Sequence, residues 1–356
     1  MKKLIAILIL FLLCLCGCNG VDVLDTPEGE GDGDVTAPEV SLDFAQNEAE
    51  MFTERDKQTD FAAADCVQIL LQGDHATASS DSVRIEGSVV QITAEATYLI
   101  TGTLTNGQII VNAPDTAKPR LILGGVSIHS ESSAPLYILG ADKVFVTLAP
   151  QTENTLSAGE SFVAIDENNV DGALFSKQDL TINGTGKLTI SSPAGHGIVC
   201  KDDLVLTGGE CRVTAAAHAV DANDSIRISG VTLQATAGKD GLHAENSEDT
   251  AKGFIYLASG SLQLDVDGDG VDASAFLQIE GGEMSVVAGG GSAGNAASDV
   301  SKKGLKATAS ILINAGRFVL DCADDAVHAN SSIMVNGGEF EIATGMTAFM
   351  PTKRLP

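Results

Sequence analysis

The chain has 356 residues, a formal net charge of −27, no tryptophan and only 4% aromatic residues. So acidic a chain excludes nucleic acid or an anionic membrane surface as a direct electrostatic partner. Its few aromatics also leave little material for a platform on which ring-shaped ligands could stack.

Met1-Lys2-Lys3 is followed by an apolar run from Leu4 to Cys16, a basic n-region and an h-region too short for a comfortable membrane span. This pattern predicts a signal peptide over residues 1–17. The run closes with Leu15-Cys16-Gly17-Cys18, which resembles the lipobox of bacterial lipoproteins and marks Cys18 as the lipidated cysteine; a plain secretory signal is the alternative. Of seven cysteines, Cys14 and Cys16 leave with the leader, and Cys66, Cys200, Cys211 and Cys322 remain beside Cys18. A disulfide among these four is open to them, but their spacing demands none. Residues 18–39 are acidic, Gly/Pro-containing and aperiodic, and read as a solvated tether.

A single domain is expected over residues 40–356. Local propensity over 40–62 predicts a short helix capping the first turn of the structure. From Cys66 to Asp171, segments such as Val83 to Ile85, Val89 to Ile92, Leu121 to Ile128 and Lys143 to Leu148 read as strands in irregular early repeats. Gly172 to His196 is a slightly expanded repeat with Leu180/Ile182 and Leu188/Ile190 facing inward.

From Gly197 to Met346 the pattern becomes regular. Corner residues Gly197, Ala219, Gly241, Gly270, Gly304 and Ala326 open successive units, spaced 22, 22, 29, 34 and 22 residues apart. The two long intervals carry insertions around Asn246 to Gly253 and Gly289 to Val300. Every unit holds three apolar i, i+2 couples, from Ile198/Cys200, Leu204/Leu206 and Cys211/Val213 to Val327/Ala329, Ile333/Val335 and Phe340/Ile342. Each couple lies on one face of a strand. Small residues recur between the second and third couples, where a corner needs positive φ or has no room for a side chain. Three inward strands per unit of this length predict an all-β parallel β-helix, a solenoid whose turns bury their apolar sides only against one another. After Thr347-Ala348 the pattern is expected to lapse, either into a capping tail or because the last turns are missing.

The same register lines up the residues that carry charge. Just before the corner stand His196, His218, Asp240, Asp269, Lys303 and Asp325; two residues after it stand Val199, Asp221, His243, Asp272, Lys306 and His328. Equivalent positions in neighbouring turns are ~4.8 Å apart, so the two columns form one strip of carboxylates and imidazoles. Its densest part is Asp265-Val266-Asp267-Gly268-Asp269-Gly270-Val271-Asp272. An EF-hand loop is excluded there because its twelfth position is Phe276, where a bidentate Glu is required. Asp265 and Asp269 recur as Asp321 and Asp325, so the corner repeatedly presents the hard oxygen ligands that calcium prefers. The expected metal set is Asp265, Asp267, Asp269, Asp272, Asp321 and Asp325; a hydrated acidic edge is the alternative. His218, Asp240, His243 and His328 are the candidates for contacts to sugar hydroxyls; the alternative for the histidines is that they simply face water. His196 joins them as a strip residue, and no compact His/Cys set points to a soft metal.

Lys303 and Lys306 fall in the same columns. Either could be the base of a β-elimination, taking the proton next to a uronate carboxylate. Neighbouring carboxylates favour the ammonium form, which is the wrong direction for a base, and the counter-charge reading is preferred.

Taken as a set, Ala173-Leu174-Phe175-Ser176-Lys177-Gln178-Asp179-Leu180-Thr181-Ile182, Lys201-Asp202-Asp203-Leu204, Asp267-Gly268-Asp269-Gly270-Val271-Asp272, Lys303-Gly304-Leu305-Lys306-Ala307 and Asp324-Asp325-Ala326-Val327-His328-Ala329 resemble the bacterial carbohydrate-binding domain-containing surface proteins. The resemblance runs from about residue 50 to 345. It implies a right-handed parallel β-helix similar to polysaccharide lyases, calcium, and an acidic polysaccharide such as polygalacturonate as partner. The histidines at 196 and 218 depart from it, standing where the corner elsewhere has Asp.

The resulting expectation is a lipid-anchored, monomeric protein on the extracellular face of a bacterial envelope that binds acidic polysaccharide through calcium without cleaving it. The alternatives are a calcium-dependent lyase using Lys303 or Lys306, and a purely structural surface spacer.

Overall fold

The computed structural model describes residues 45–295 and 300–351, with the backbone of Ile7–Leu8. The expected lipidation site at Cys18 and the expected tether lie outside the described residues, as does the expected signal peptide apart from that dipeptide, whose backbone pairs antiparallel with Phe340 and Glu341. Among the described residues no helix is long and apolar enough to cross a membrane.

The chain is all-β, with long parallel sheets. Its strands alternate in burial: along Val231–Ala237 every second side chain enters the core and those between face out. The chain then returns one repeat later in parallel register beside itself. Ile198 pairs with Val220, and the series continues through Leu242, Val271 and Leu305 to Val327. A second series runs Leu204, Ile226, Ile255, Leu277, Ile311, Ile333. The third runs Cys211, Leu233, Leu262, Met284, Phe318, Phe340. The register read from the sequence is therefore the hydrogen-bonded register, and both insertions leave it intact. The four remaining cysteines are buried as free thiols, small apolar fillers of the core.

Glycines mark the corners for two different reasons. Gly282, Gly316 and Gly338 hold φ of +102°, +126° and +118° between the second and third strands, a region that side-chain-bearing residues avoid. At Gly270 the reason is space: a Cβ there would lie 2.4 Å from Val286 Cγ1 and 2.5 Å from the Gly304 carbonyl oxygen.

Three local expectations are corrected. Val83–Glu86 and Val89–Ile92 are not stacked turns but an antiparallel hairpin, because the two-residue link Gly87-Ser88 is far too short for a parallel return. Val67–Gly73 and Ala76–Ala78 form a second hairpin at the same end. At the other end the pattern does not lapse at Thr347-Ala348. Phe349–Pro351 pairs in parallel with Val327–Ala329, and the Phe349 ring meets Phe340 edge-on at 5.6 Å.

The third correction concerns the N-terminal segment, where a four-residue helix, Glu48–Met51, does form. It does not cap an end. Residues 46–60 run as a strap along the outside of the sheet, from a hydrogen bond between the Gln278 amide and the Gln46 carbonyl (2.9 Å) to Arg120, which donates to the carbonyls of Asp60 (2.7 Å) and Gln58 (3.0 Å). Met51 and Phe52 pack on Val205 and Tyr256. Farther along, buried Asp56 receives Lys143 at 2.8 Å and the hydroxyl of Thr181 at 2.5 Å. The strap lies there because Val205 and Tyr256 sit between the two members of the inward couples Leu204/Leu206 and Ile255/Leu257 and point out of the core. Apolar side chains in that position need a cover.

Candidate functional site

The strip is built by the corner itself. Each corner N–H donates to the carbonyl of the residue before the next corner, as from Gly197 to His218 (3.0 Å), Gly241 to Asp269 (3.0 Å) and Gly304 to Asp325 (3.1 Å). This holds the pre-corner side chains in one line. Those side chains then accept the N–H of their counterpart in the following repeat. His218 Nδ1 accepts from Asp240 N at 3.2 Å, Asp240 Oδ1 from Asp269 N at 2.6 Å, Asp269 Oδ1 from Lys303 N at 2.6 Å and Asp325 Oδ1 from Thr347 N at 3.1 Å. A turn that leaves this N–H without a strand partner needs an acceptor. Much of the Asp and His content of the pre-corner column is thus structural.

The post-corner column is less committed to the scaffold, and its chemistry changes along its length. It begins as Ile110, Tyr137, Phe175 and Val199, and continues as Asp221, His243, Asp272, Lys306 and His328. The first part is roofed. Tyr137, Phe175 and Val199 are buried with Ala134 and Val170, and the roof is pinned where Tyr137 donates to Asp166 (2.8 Å) and Asn168 donates to the Tyr137 hydroxyl (2.9 Å). The second part keeps side-chain exposures between 13% and 27%, so its polar groups reach solvent.

Charge is balanced repeat by repeat in the lower half of the strip. Lys306 Nζ lies 3.0 Å from Asp269 Oδ2 and 2.7 Å from Asp272 Oδ2. Burial alone would lower the Lys306 pKa, but the two carboxylates outweigh it and push it above the ordinary lysine range. Asp269 moves the other way: its complete burial raises its pKa, and Lys306 offsets only part of that. Lys303 pairs with Asp324, a partner that the register did not single out.

In the upper half the balance is carried by imidazoles. The rings of His196, His218 and His243 stack, with centroids 5.1 Å apart and then 4.2 Å. His218 Nδ1 lies 3.0 Å from Asp240 Oδ2, and His243 Nδ1 lies 2.7 Å from Asp221 Oδ1. Burial would raise the Asp221 pKa, yet the bond to His243, helped by Lys201, holds it near 2. His196 has no such hydrogen bond at Nδ1, and burial, only partly offset by the charge of Asp221, pushes it down to about 4.

The residues singled out from the sequence are distributed as follows. His218, Asp240 and His243 come together. His328 lies three repeats beyond His243, 3.1 Å from Asp325. The six aspartates of the metal set do not converge on a point: Asp265 and Asp321 are separated in register by Val287, Asp321 Oδ1 accepts from Ser292 N at 2.6 Å, and Lys306 supplies the positive charge between Asp269 and Asp272. Asp265 and Asp267 are exposed and, among the described residues, make no ion pair. They suit a bridging cation better than an enclosed one. The compact groups among the described residues are instead His196/His218/Asp221 and His218/Asp240/His243, each with ligand atoms within 4.8 Å of one another. The signal for them was present in the two columns, because Asp221 and His243 are vertical neighbours.

The fold and this strip together define a repetitive parallel-sheet protein with one long ionisable edge. Residues 86–348 match the model of the family described as "Carbohydrate-binding domain-containing protein", and the chain belongs to that family. A protein of the same description from Acetivibrio thermocellus is 34% identical over 151 residues, which cover 42% of this chain and 53% of the relative. The chain thus matches about half the length of that curated relative. A solved structure, the polysaccharide lyase-like protein from C. thermocellum as its gadolinium derivative, is similar at 32% identity and a TM-score of 0.62, covering 63% of this chain and 92% of that one.

Proposed function

We propose that the protein is a right-handed parallel β-helix that binds an acidic polysaccharide of the pectin or polygalacturonate kind at the bacterial cell surface, without cleaving it. The observation that carries this reading is the post-corner column, which passes from roofed apolar residues to solvent-reaching Asp221, His243, Asp272, Lys306 and His328. A straight row of donors and acceptors, evenly spaced at ~4.8 Å, suits a linear polymer better than a compact small molecule. Family membership and the polysaccharide lyase-like neighbour support the same partner class.

Ring stacking is not the binding device, since all three tyrosines are fully buried and tryptophan is absent. Hydrogen bonds and cations carry the interaction instead. A chain this acidic holds a polyuronate when a hard cation bridges the two, and calcium on exposed carboxylates such as Asp265 and Asp267 fills that role. Lipidation at Cys18 and the acidic tether over residues 18–39 would hold the monomer on the outer face of the envelope.

The test is equilibrium binding of polygalacturonate to metal-stripped protein, followed by return of calcium alone. Binding that appears only with calcium is the expected result. Undiminished binding without metal removes the bridging mechanism, and no binding at any calcium concentration removes the reading itself.

A further inference from the structure

The histidine stack carries donor chemistry that the glycan and calcium reading above does not use, although Asp221 and His243 also stand in the column on which that reading rests. Three imidazoles from three successive repeats are gathered at one corner, alongside two carboxylates that already contact them. Within that group the ligand atoms of His196, His218 and Asp221 lie within 4.8 Å of one another. An independent observation points to a ligand. His196 Nδ1 is buried without any hydrogen-bond partner, a state that costs free energy unless something else engages the nitrogen.

We infer that His196, His218 and Asp221 bind one first-row divalent transition cation of the zinc class. Two imidazoles and a carboxylate form a donor set suited to zinc and its neighbours, whereas calcium takes oxygen ligands. Supporting contacts of the kind that orient metal ligands are in place. His243 Nδ1 lies 2.7 Å from Asp221 Oδ1 and fixes that carboxylate. The His218 ring is likewise fixed through Nδ1, which accepts from Asp240 N at 3.2 Å and lies 3.0 Å from Asp240 Oδ2. The His196 and His218 planes are already 22° from parallel. A further turn about χ2, a broad torsion for His, brings their nitrogens to face one ion. The overlapping group His218/Asp240/His243 shares His218, so one ion occupies the corner at a time.

Titration of metal-free, full-length protein with Zn²⁺ by calorimetry, with no glycan present, tests this independently of the polysaccharide reading. One equivalent binds, calcium in excess does not displace it, and His196→Asn and His218→Asn each abolish it, while His75→Ala leaves it unchanged. Asn at 218 keeps an acceptor for Asp240 N, and circular dichroism verifies that each variant is folded. If a variant does not fold, Co²⁺ added to the wild-type protein decides: visible bands of a low-coordinate site, lost on adding zinc, support the inference, and their absence overturns it. No zinc binding overturns it, as does binding that survives in folded His218→Asn. Binding that survives His196→Asn but not His218→Asn places the ion with Asp240 and His243 and overturns this assignment.

Discussion

Lys306 Nζ lies 3.0 Å from Asp269 Oδ2, and Asp269 has no solvent exposure of its own. The backbone N–H of Lys303 engages the other Asp269 oxygen at 2.6 Å, so the carboxylate is hydrogen-bonded, but its charge is answered chiefly by Lys306. Removing that ammonium leaves a buried anion unpaired. Lys306→Met is expected to cost about 2–3 kcal/mol in urea unfolding, below the value for a fully enclosed pair because the lysine retains some exposure. Adding Asp269→Asn should recover part of the loss, since the amide oxygen still accepts from Lys303 N. A double variant no better than the single one would mean that packing, not charge, is what Lys306 supplies.

The strap gives a pH dependence. Burial of Asp56 would raise its pKa, but hydrogen bonds from Lys143, Thr181 and Thr53 outweigh burial and lower it below the ordinary 3.8. A carboxyl depressed by folding contributes stability that is fully present above its unfolded value and is lost as pH falls through its lower folded value. Wild-type stability should therefore begin to fall as the pH drops below about 4. Asp56→Ala should cost about 2–4 kcal/mol at neutral pH, from lost charged hydrogen bonds, and should flatten that acid limb. Denaturant unfolding of both proteins between neutral and strongly acid pH measures it, and parallel acid limbs would exonerate Asp56.

The strap also shows where the sequence ran out of signal. Periodicity alone located all three strand series, because a 22-residue return with two-residue alternation leaves one register in which Ile198, Leu204 and Cys211 all face inward. Segment 46–60 has no periodicity; its place depends on what it covers. The clue lay elsewhere in the chain, in apolar side chains such as Val205 and Tyr256 at positions that ought to face water. At the strip, the two columns were legible but the division of labour was not. The pre-corner aspartates look like ligands until the unpaired N–H of the next repeat is seen to need them. Lys303 was assigned to the right neighbourhood, yet its partner is Asp324, one residue outside the column.

Corner glycines are a test of close approach rather than of flexibility. At Gly270 an added Cβ meets Val286 Cγ1 at 2.4 Å and the Gly304 carbonyl oxygen at 2.5 Å, and the second of these is backbone that cannot step aside alone. Gly270→Ala is expected to destabilise by about 1–3 kcal/mol through overpacking. Gly87→Ala makes the comparison informative, because Gly87 has open space around its Cβ position and a φ of +59°. Its cost should come from backbone strain alone, about 1 kcal/mol. Thermal unfolding of the two variants separates crowding from conformation, and equal small losses would show that the corner relaxes.

Whether the strip only binds or also cleaves turns on the state of its lysines. A β-elimination needs an amine that is unprotonated when the substrate arrives, and a base works best with its pKa close to the working pH. Lys306 is displaced in the opposite direction by Asp269 and Asp272, and Lys303 is engaged by Asp324 and, at 3.2 Å, by the Ser301 hydroxyl. Freeing either amine means breaking an ion pair before any chemistry begins. Polygalacturonate incubated with the protein and calcium, from neutral to alkaline pH, should therefore yield no unsaturated uronide detectable by ultraviolet absorbance. Product that forms with the wild-type protein and disappears in Lys303→Ala or Lys306→Ala would identify a lyase, and would require the approaching uronate to displace the aspartate that now holds the lysine.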